Sequence, residues 1–245
     1  MSASRRILAA AALVLPCTGV AATEFNPVSV GPVGGDAPPF NGTRTEFRVR
    51  YDAIDRAYIV AQPSSWRPGG PVVVVLHGGG RSMRTVLAET SAPSRWLSIA
   101  EAEGWLVVVP NGYGVDDGDG LGNRQTWNDL RPSVGNPISE EDDAGFIAAV
   151  VEHEVDRRGA DASSVFVTGS SNGGMMAYRM LIEYPDRFAA GGAFIANLPE
   201  IDVPEPDIAR PIVIVNGDAD PLMPWSGGGV GFNGAPVRSG PATVA

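Results

Sequence analysis

The run Gly169-Ser170-Ser171-Asn172-Gly173 has the residue types and spacing of an activated serine. A serine hydroxyl is a weak nucleophile until a turn exposes it and a neighbouring base takes its proton. In a G-x-S-x-G turn between strand and helix, the glycines let the two elements approach closely and the serine sits at the tip. The flanking residues supply that context. Val165-Phe166-Val167 is an apolar strand, and the residues after Gly173 continue as an amphipathic helix ending near Tyr184-Pro185. Ser171 is therefore the candidate nucleophile. The backbone N–H of Asn172, at the helix N-terminus, is a candidate donor to a developing oxyanion.

Two further loops follow apolar runs. His77-Gly78-Gly79-Gly80 comes directly after Val72-Val73-Val74-Val75-Leu76, and its Gly79 N–H is the candidate second oxyanion donor. The His77 ring reads as a brace for this loop rather than a proton carrier. Asn216-Gly217-Asp218-Ala219-Asp220-Pro221 follows Ile212-Val213-Ile214-Val215. A carboxylate at that place can orient and charge-balance an imidazole. Asp218 and Asp220 are both available, and either can instead cap a local turn; the spacing favours Asp220.

These loops need a scaffold that brings strand ends together. Four short apolar runs lack alternation: residues 72–76, Leu106-Val107-Val108-Val109, Val165-Phe166-Val167 and 212–215. Such runs fit parallel strands covered on both faces. Ahead of them, residues 45–51 alternate, with Phe47, Val49 and Tyr51 on one face and Glu46, Arg48 and Arg50 on the other. Asp52-Ala53 then makes a tight turn into a strand over 54–60. A helix is predicted over about 140–158, started by Ser139 and Asp142, with Glu140 and Glu141 in its first turn. Phe146, Ile147, Val150 and Val151 form its stripe, and Arg157-Arg158-Gly159 its end. Strand–helix alternation implies an open α/β sheet. Residues 111–139, rich in Gly and Asp, are expected to form a long loop over the cleft.

Composition removes other functions. The 245 residues carry a net charge of −10, a field that repels nucleic acid and anionic membrane surfaces. Arg5-Arg6, the apolar stretch Ile7 to Leu15 and Val20-Ala21-Ala22 read as an export signal over residues 1–22. Cys17 as a lipidated cysteine is the alternative, disfavoured by Pro16 before it. Cys17 is the single cysteine, which excludes a thiol nucleophile and a cysteine metal site. Residues 23–44 read as a Pro/Gly-rich arm and 45–245 as the catalytic-type domain. No metal or cofactor is expected; Asp116-Asp117-Gly118-Asp119-Gly120 lacks the spaced glutamate of a calcium loop and reads as solvated.

The chain resembles extracellular polyhydroxybutyrate depolymerases and related feruloyl esterases of the α/β-hydrolase superfamily. The segments carrying the resemblance are Leu76 to Gly80, Thr126-Trp127-Asn128, Asp142-Asp143, Val167 to Arg179, and Asn216 to Pro224 with Trp225-Ser226-Gly227-Gly228. The resemblance implies a mostly parallel sheet with helices on both faces and hydrolysis of polyester or aryl esters through an acyl-enzyme. It implies that Ser171 is the nucleophile and Asp220 the acid. It also places Trp127 near the cleft as a candidate substrate-binding residue, with a packing aromatic as the alternative.

The chain departs from that family in one respect. The family's histidine follows the acid, whereas this chain has two histidines, His77 before the serine and His153 in Glu152-His153-Glu154 on the predicted helix, where it reads as a solvated surface residue. The expectation is a domain incomplete at its C-terminus, nearly inactive and poorly soluble as these 245 residues, and a monomer when complete. A non-catalytic binding protein on a hydrolase scaffold is the second reading, and a peptidase or thioesterase the third.

Overall fold

Parallel strands bury both faces, so the apolar runs collect at the centre of one sheet. The computed structural model describes residues 25–32, 40–88, 91–135, 137–231 and 234–244. The export signal and Cys17 lie outside the described residues. Eight strands form the main sheet: β1 (Val28–Pro32), β2 (Thr43–Tyr51), β3 (Ile54–Gln62), β4 (Val72–Leu76), β5 (Leu106–Pro110), β6 (Val165–Ser170), β7 (Ala190–Phe194) and β8 (Ile212–Val215). Their order is β1-β2-β3-β5-β4-β6-β7-β8. The first three strands are antiparallel, and β5, β4, β6, β7 and β8 run parallel. Every side chain of β4 and β5 except Pro110 belongs to the apolar core.

Four helices cover this sheet. They are α1 (Met83–Val86), α2 (Arg95–Glu103), α3 (Asp143–Arg158) and α4 (Asn172–Glu183). α3 and α4 press Phe146, Ile147, Val150, Met176 and Met180 onto Val72, Val74, Val108 and Val167. Met83, Val86, Leu97 and Ala100 of α1 and α2 cover Val73, Val75, Val107 and Val109 on the opposite face. Helices on both faces of a mostly parallel sheet are the expected arrangement.

Several expectations need correction. Within the 23–44 arm, Val28 to Pro32 forms an edge strand paired with β2, which the expected arm does not include. Glu46 is not on a solvated face; it is buried and forms an ion pair with Arg84 at 2.7 Å. α3 begins three residues later than Ser139 and Glu140 suggest. Asp142 is its N-cap, accepting from the Gly145 N–H, while the Ser139 hydroxyl caps the Glu141 N–H in the turn before it. Its other end is as expected, with Gly159 left-handed at φ 62°. β7, Ala-Gly-Gly-Ala-Phe, lacks β-branched residues and has no sequence signal.

β8 is covered on one face only. Ile212 and Ile214 pack inward, but Val213 is 62% exposed and Val215 49%. β8 is the last strand in the order, and the register pairs Val213 with Gly192 and Val215 with Phe194. Phe194, also exposed, thus extends the same bare face.

Candidate active site

Ser171 links β6 directly to α4 and takes φ 54°, ψ −127°. A non-glycine residue at positive φ costs free energy and persists only where its surroundings fix it. Here they do. The Ser171 N–H donates to Phe194 O at 2.9 Å, and Ser171 O accepts from Met175 N–H at 2.9 Å. A Cβ on Gly169 would overlap the Gly173 carbonyl, and one on Gly173 would overlap the carbonyls of Leu76 and His77. The two glycines permit the close crossing of β6, α4 and the His77 loop.

The His77–Gly80 loop lies beside the serine. A Cβ on Gly78 would stand 3.7 Å from the Ser171 Cβ, and one on Gly79 would stand 3.5 Å from the Asn172 Cβ. The loop is a turn: Arg81 N–H donates to Gly78 O, and Gly80 N–H donates to Gln125 O. Asn172 is the first residue of α4, so its N–H has no intrahelical carbonyl to meet. Gly78, Gly79, Ser170 and Ser171 share a cleft of about 370 Å³ with Arg81, Val86 and Pro93.

His77 is fully buried and braces this loop. Its Nε2 accepts from the Gly112 N–H at 2.9 Å, which leaves the proton on Nδ1, 2.9 Å from Gly78 O. Burial pushes its pKa down to about 4, so the ring is neutral at pH 7. Both ring nitrogens are committed, so His77 has no free site for a serine proton.

His153 is half-buried rather than solvated, with its ring 5.5 Å from Phe25. It lies on α3, and its pKa is lowered, chiefly by burial.

Trp127 is not a wall of the cleft. It is wholly buried, its indole N–H donates to His77 O at 2.8 Å and its ring lies 4.6 Å from that of His77. Its backbone N–H and O bond the Asn172 side chain at 2.7 and 3.0 Å. The indole N–H needed a partner once buried, and the His77 carbonyl provides it. Nor does the 111–139 loop overhang the cleft: every described lining residue belongs to 78–93 or to Ser170-Ser171. The long loop instead packs beside the strand–turn–helix elbow at Ser171.

Sequence reasoning missed the polar groups that hold that loop. Asn172 Nδ2 also donates to Asp129 Oδ2 at 2.7 Å, and Asp129 pairs with Arg131 at 2.7 Å, both buried. Leu130 between them is at φ 71°. Asp143 accepts from Arg56 at 2.5 Å and from the Asn128 N–H at 2.8 Å, and Arg179 donates to Asn128 O at 2.7 Å. The only hint in sequence was the Thr126-Trp127-Asn128 and Asp142-Asp143 segments of the resemblance.

Asp220 lies in the loop after β8, which is two strands from β6 in the sheet order. Its Oδ1 accepts from Leu222 N–H at 2.7 Å and Met223 N–H at 3.0 Å, the local cap weighed as the alternative. Asp218 is exposed. Asn216, at the head of that loop, ties the two strand ends together: its side chain bonds Ala196 N–H, Ala196 O and Asn197 Oδ1 at 2.8, 3.0 and 2.8 Å. Among the described residues, no group of three His, Cys, Asp or Glu side chains could hold a metal ion, and no helix is long and apolar enough to cross a membrane.

The sequence profile of the prolyl oligopeptidase family matches residues 96–203, a stretch that includes the elbow. The chain is 32% identical over 214 residues to "Putative esterase NocK" of Nocardia uniformis subsp. tsuyamanensis, covering 86% of this chain and 56% of that one. It is 31% identical over 127 residues to feruloyl esterase B of Neurospora crassa, covering 50% of this chain and 38% of that one. The chain thus spans about half the length, or less, of these curated relatives. Among solved structures it is similar to a thermostable esterase, with a TM-score of 0.58 at 20% identity over 74% of this chain and 48% of that one. The sheet, the helices on both faces and these likenesses agree that the chain has the α/β-hydrolase fold, and its named relatives are esterases.

Proposed function

We propose that this chain belongs to an exported serine carboxylic-ester hydrolase, acting on polyhydroxybutyrate-like polyesters or on aryl esters of the feruloyl type. The observation that carries the reading is Ser171, held at φ 54° between β6 and α4 and opening into a cleft beside Gly78 and Gly79. In this mechanism Ser171 Oγ attacks the ester carbonyl carbon. The N–H groups of Asn172 and Gly79 stabilise the oxyanion. The alcohol leaves, and water releases the acid from the acyl-enzyme. Asp220 orients the imidazole that serves as base.

These 245 residues do not supply that imidazole, because His77 is fully engaged and His153 lies on α3 against Phe25. Loss of the base typically costs several orders of magnitude, leaving what the oxyanion donors and binding provide. The resulting expectation is slow, stoichiometric labelling of Ser171 by an aryl fluorophosphonate, absent in Ser171→Ala, with little turnover of p-nitrophenyl acetate. Labelling at another residue would overturn the nucleophile. Turnover at ordinary esterase rates would overturn the missing base. No labelling at all would favour a binding protein on a hydrolase scaffold.

A further inference from the structure

Arg81 is the one charged residue among the described residues lining the cleft with Ser171. Its backbone is fixed at both ends. The N–H donates to Gly78 O at 3.2 Å, and the carbonyl accepts from the Gln125 N–H at 2.8 Å. Its exposed guanidinium, by contrast, makes no hydrogen bond or ion pair with any described residue. Many other arginines hold carboxylates, among them Arg56, Arg84, Arg131, Arg158 and Arg179. In a chain with 28 acidic residues against 18 basic ones, an unpaired cation in the cleft is set apart.

The other walls make that cation selective. Val86 and Pro93 are apolar. The Thr85 hydroxyl is already occupied, accepting from the Ser82 N–H at 2.8 Å. No carboxylate among the described lining residues competes for the guanidinium.

We propose that Arg81 selects esters bearing a carboxylate a few bonds from the scissile carbonyl. The planar fork of the guanidinium holds that carboxylate through two parallel N–H···O bonds. The proposal rests on the reading of Ser171 as the reacting residue, and it chooses within that reading. An oligoester of a hydroxy acid ends in a free carboxylate, whereas an aryl ester of a neutral alcohol carries none.

The test is a titration of the 245-residue chain with methyl hydrogen succinate and with dimethyl succinate at equal ionic strength, followed by NMR at the Gly79 amide and the Arg81 Nε–H. The hemi-ester is expected to bind about tenfold more tightly than the diester, as one charge-assisted contact provides. Arg81→Gln brings the two ligands to parity. Arg124→Gln removes another exposed arginine, one that does not line the cleft, and leaves the preference intact. Equal affinities, no binding of either ligand, or a preference that survives Arg81→Gln or disappears in Arg124→Gln would overturn the proposal. Ser171→Ala must bind the hemi-ester as the parent does. An unreactive Ser171 with intact, Arg81-dependent binding would therefore count against the esterase reading and not against Arg81.

Discussion

Trp127 and Asn172 hold each other twice. The Trp127 N–H donates to Asn172 Oδ1 at 2.7 Å, and Asn172 Nδ2 returns to Trp127 O at 3.0 Å. This closed pair fixes the first residue of α4, 45 positions away in sequence, to the long loop. Asp129 takes the remaining Asn172 donor at 2.7 Å and is itself neutralised by Arg131.

Replacing Asp129 therefore has two distinct costs. Asp129→Asn keeps the shape but weakens the tie to Asn172 and Arg131, and is expected to destabilise by about 1–3 kcal/mol. Asp129→Ala removes the carboxylate from buried Arg131 and from Asn172 together with its packing, and is expected to cost about 3–5 kcal/mol. Urea denaturation of both variants checks the order. Equal losses would show that the carboxamide of Asp129→Asn keeps neither the Asn172 nor the Arg131 bond.

Ser171 stores backbone strain. Ser171→Gly relieves it and should stabilise the chain by about 1 kcal/mol while abolishing fluorophosphonate labelling. Thermal melts read the first effect and mass spectrometry the second. A Ser171→Gly chain less stable than the parent would mean that the turn is not strained.

His77 makes stability depend on pH. Its folded pKa of about 4 lies below the ordinary value of 6.5, so the unfolded chain binds the extra proton first. Stability is then full above pH 6.5 and falls as the pH drops toward 4, by about 3 kcal/mol across the window. His153, also lowered, contributes in the same direction. His77→Gln should flatten the part due to His77, measured as the difference between urea midpoints at pH 7.5 and 4.5. An unchanged slope in that variant would assign the dependence elsewhere.

The bare face of β8 predicts association. Val213 and Val215, with Phe194 alongside, offer β-branched apolar surface at a sheet edge. Val213→Lys with Val215→Lys should raise the monomer fraction in size-exclusion chromatography at unchanged helix content by circular dichroism. If the parent chain is already monodisperse, that face does not drive association.

The elbow and the central strands were legible because their signals are local. Val72 to Leu76 is apolar without interruption, and the glycines around Ser171 stand where the turn requires them. The Asp52-Ala53 turn likewise appears with both residues at positive φ. What sequence hid was pairing across distance. Arg56 and Asp143 are 87 positions apart, and each alone looks like a surface charge. β7 was hidden for another reason: two glycines and two alanines give it no strand propensity, and its place comes from pairing with β6 and β8. Trp127 misleads because an aromatic close to a cleft in sequence can face either way. Here burial of its N–H against His77 O decides for the interior.

The cleft and its footing come from different stretches of chain. Gly78, Gly79, Arg81, Val86, Ser91 and Pro93 provide the walls beside Ser171, while Trp127 and Asp129 hold Asn172 and Asn128 holds Arg179 of α4. Ser91 and Pro93 line the cleft without entering that footing. A change of side chain at either would reshape the space beside Ser171 and leave the Asn172 bonds in place, because none of those bonds passes through them.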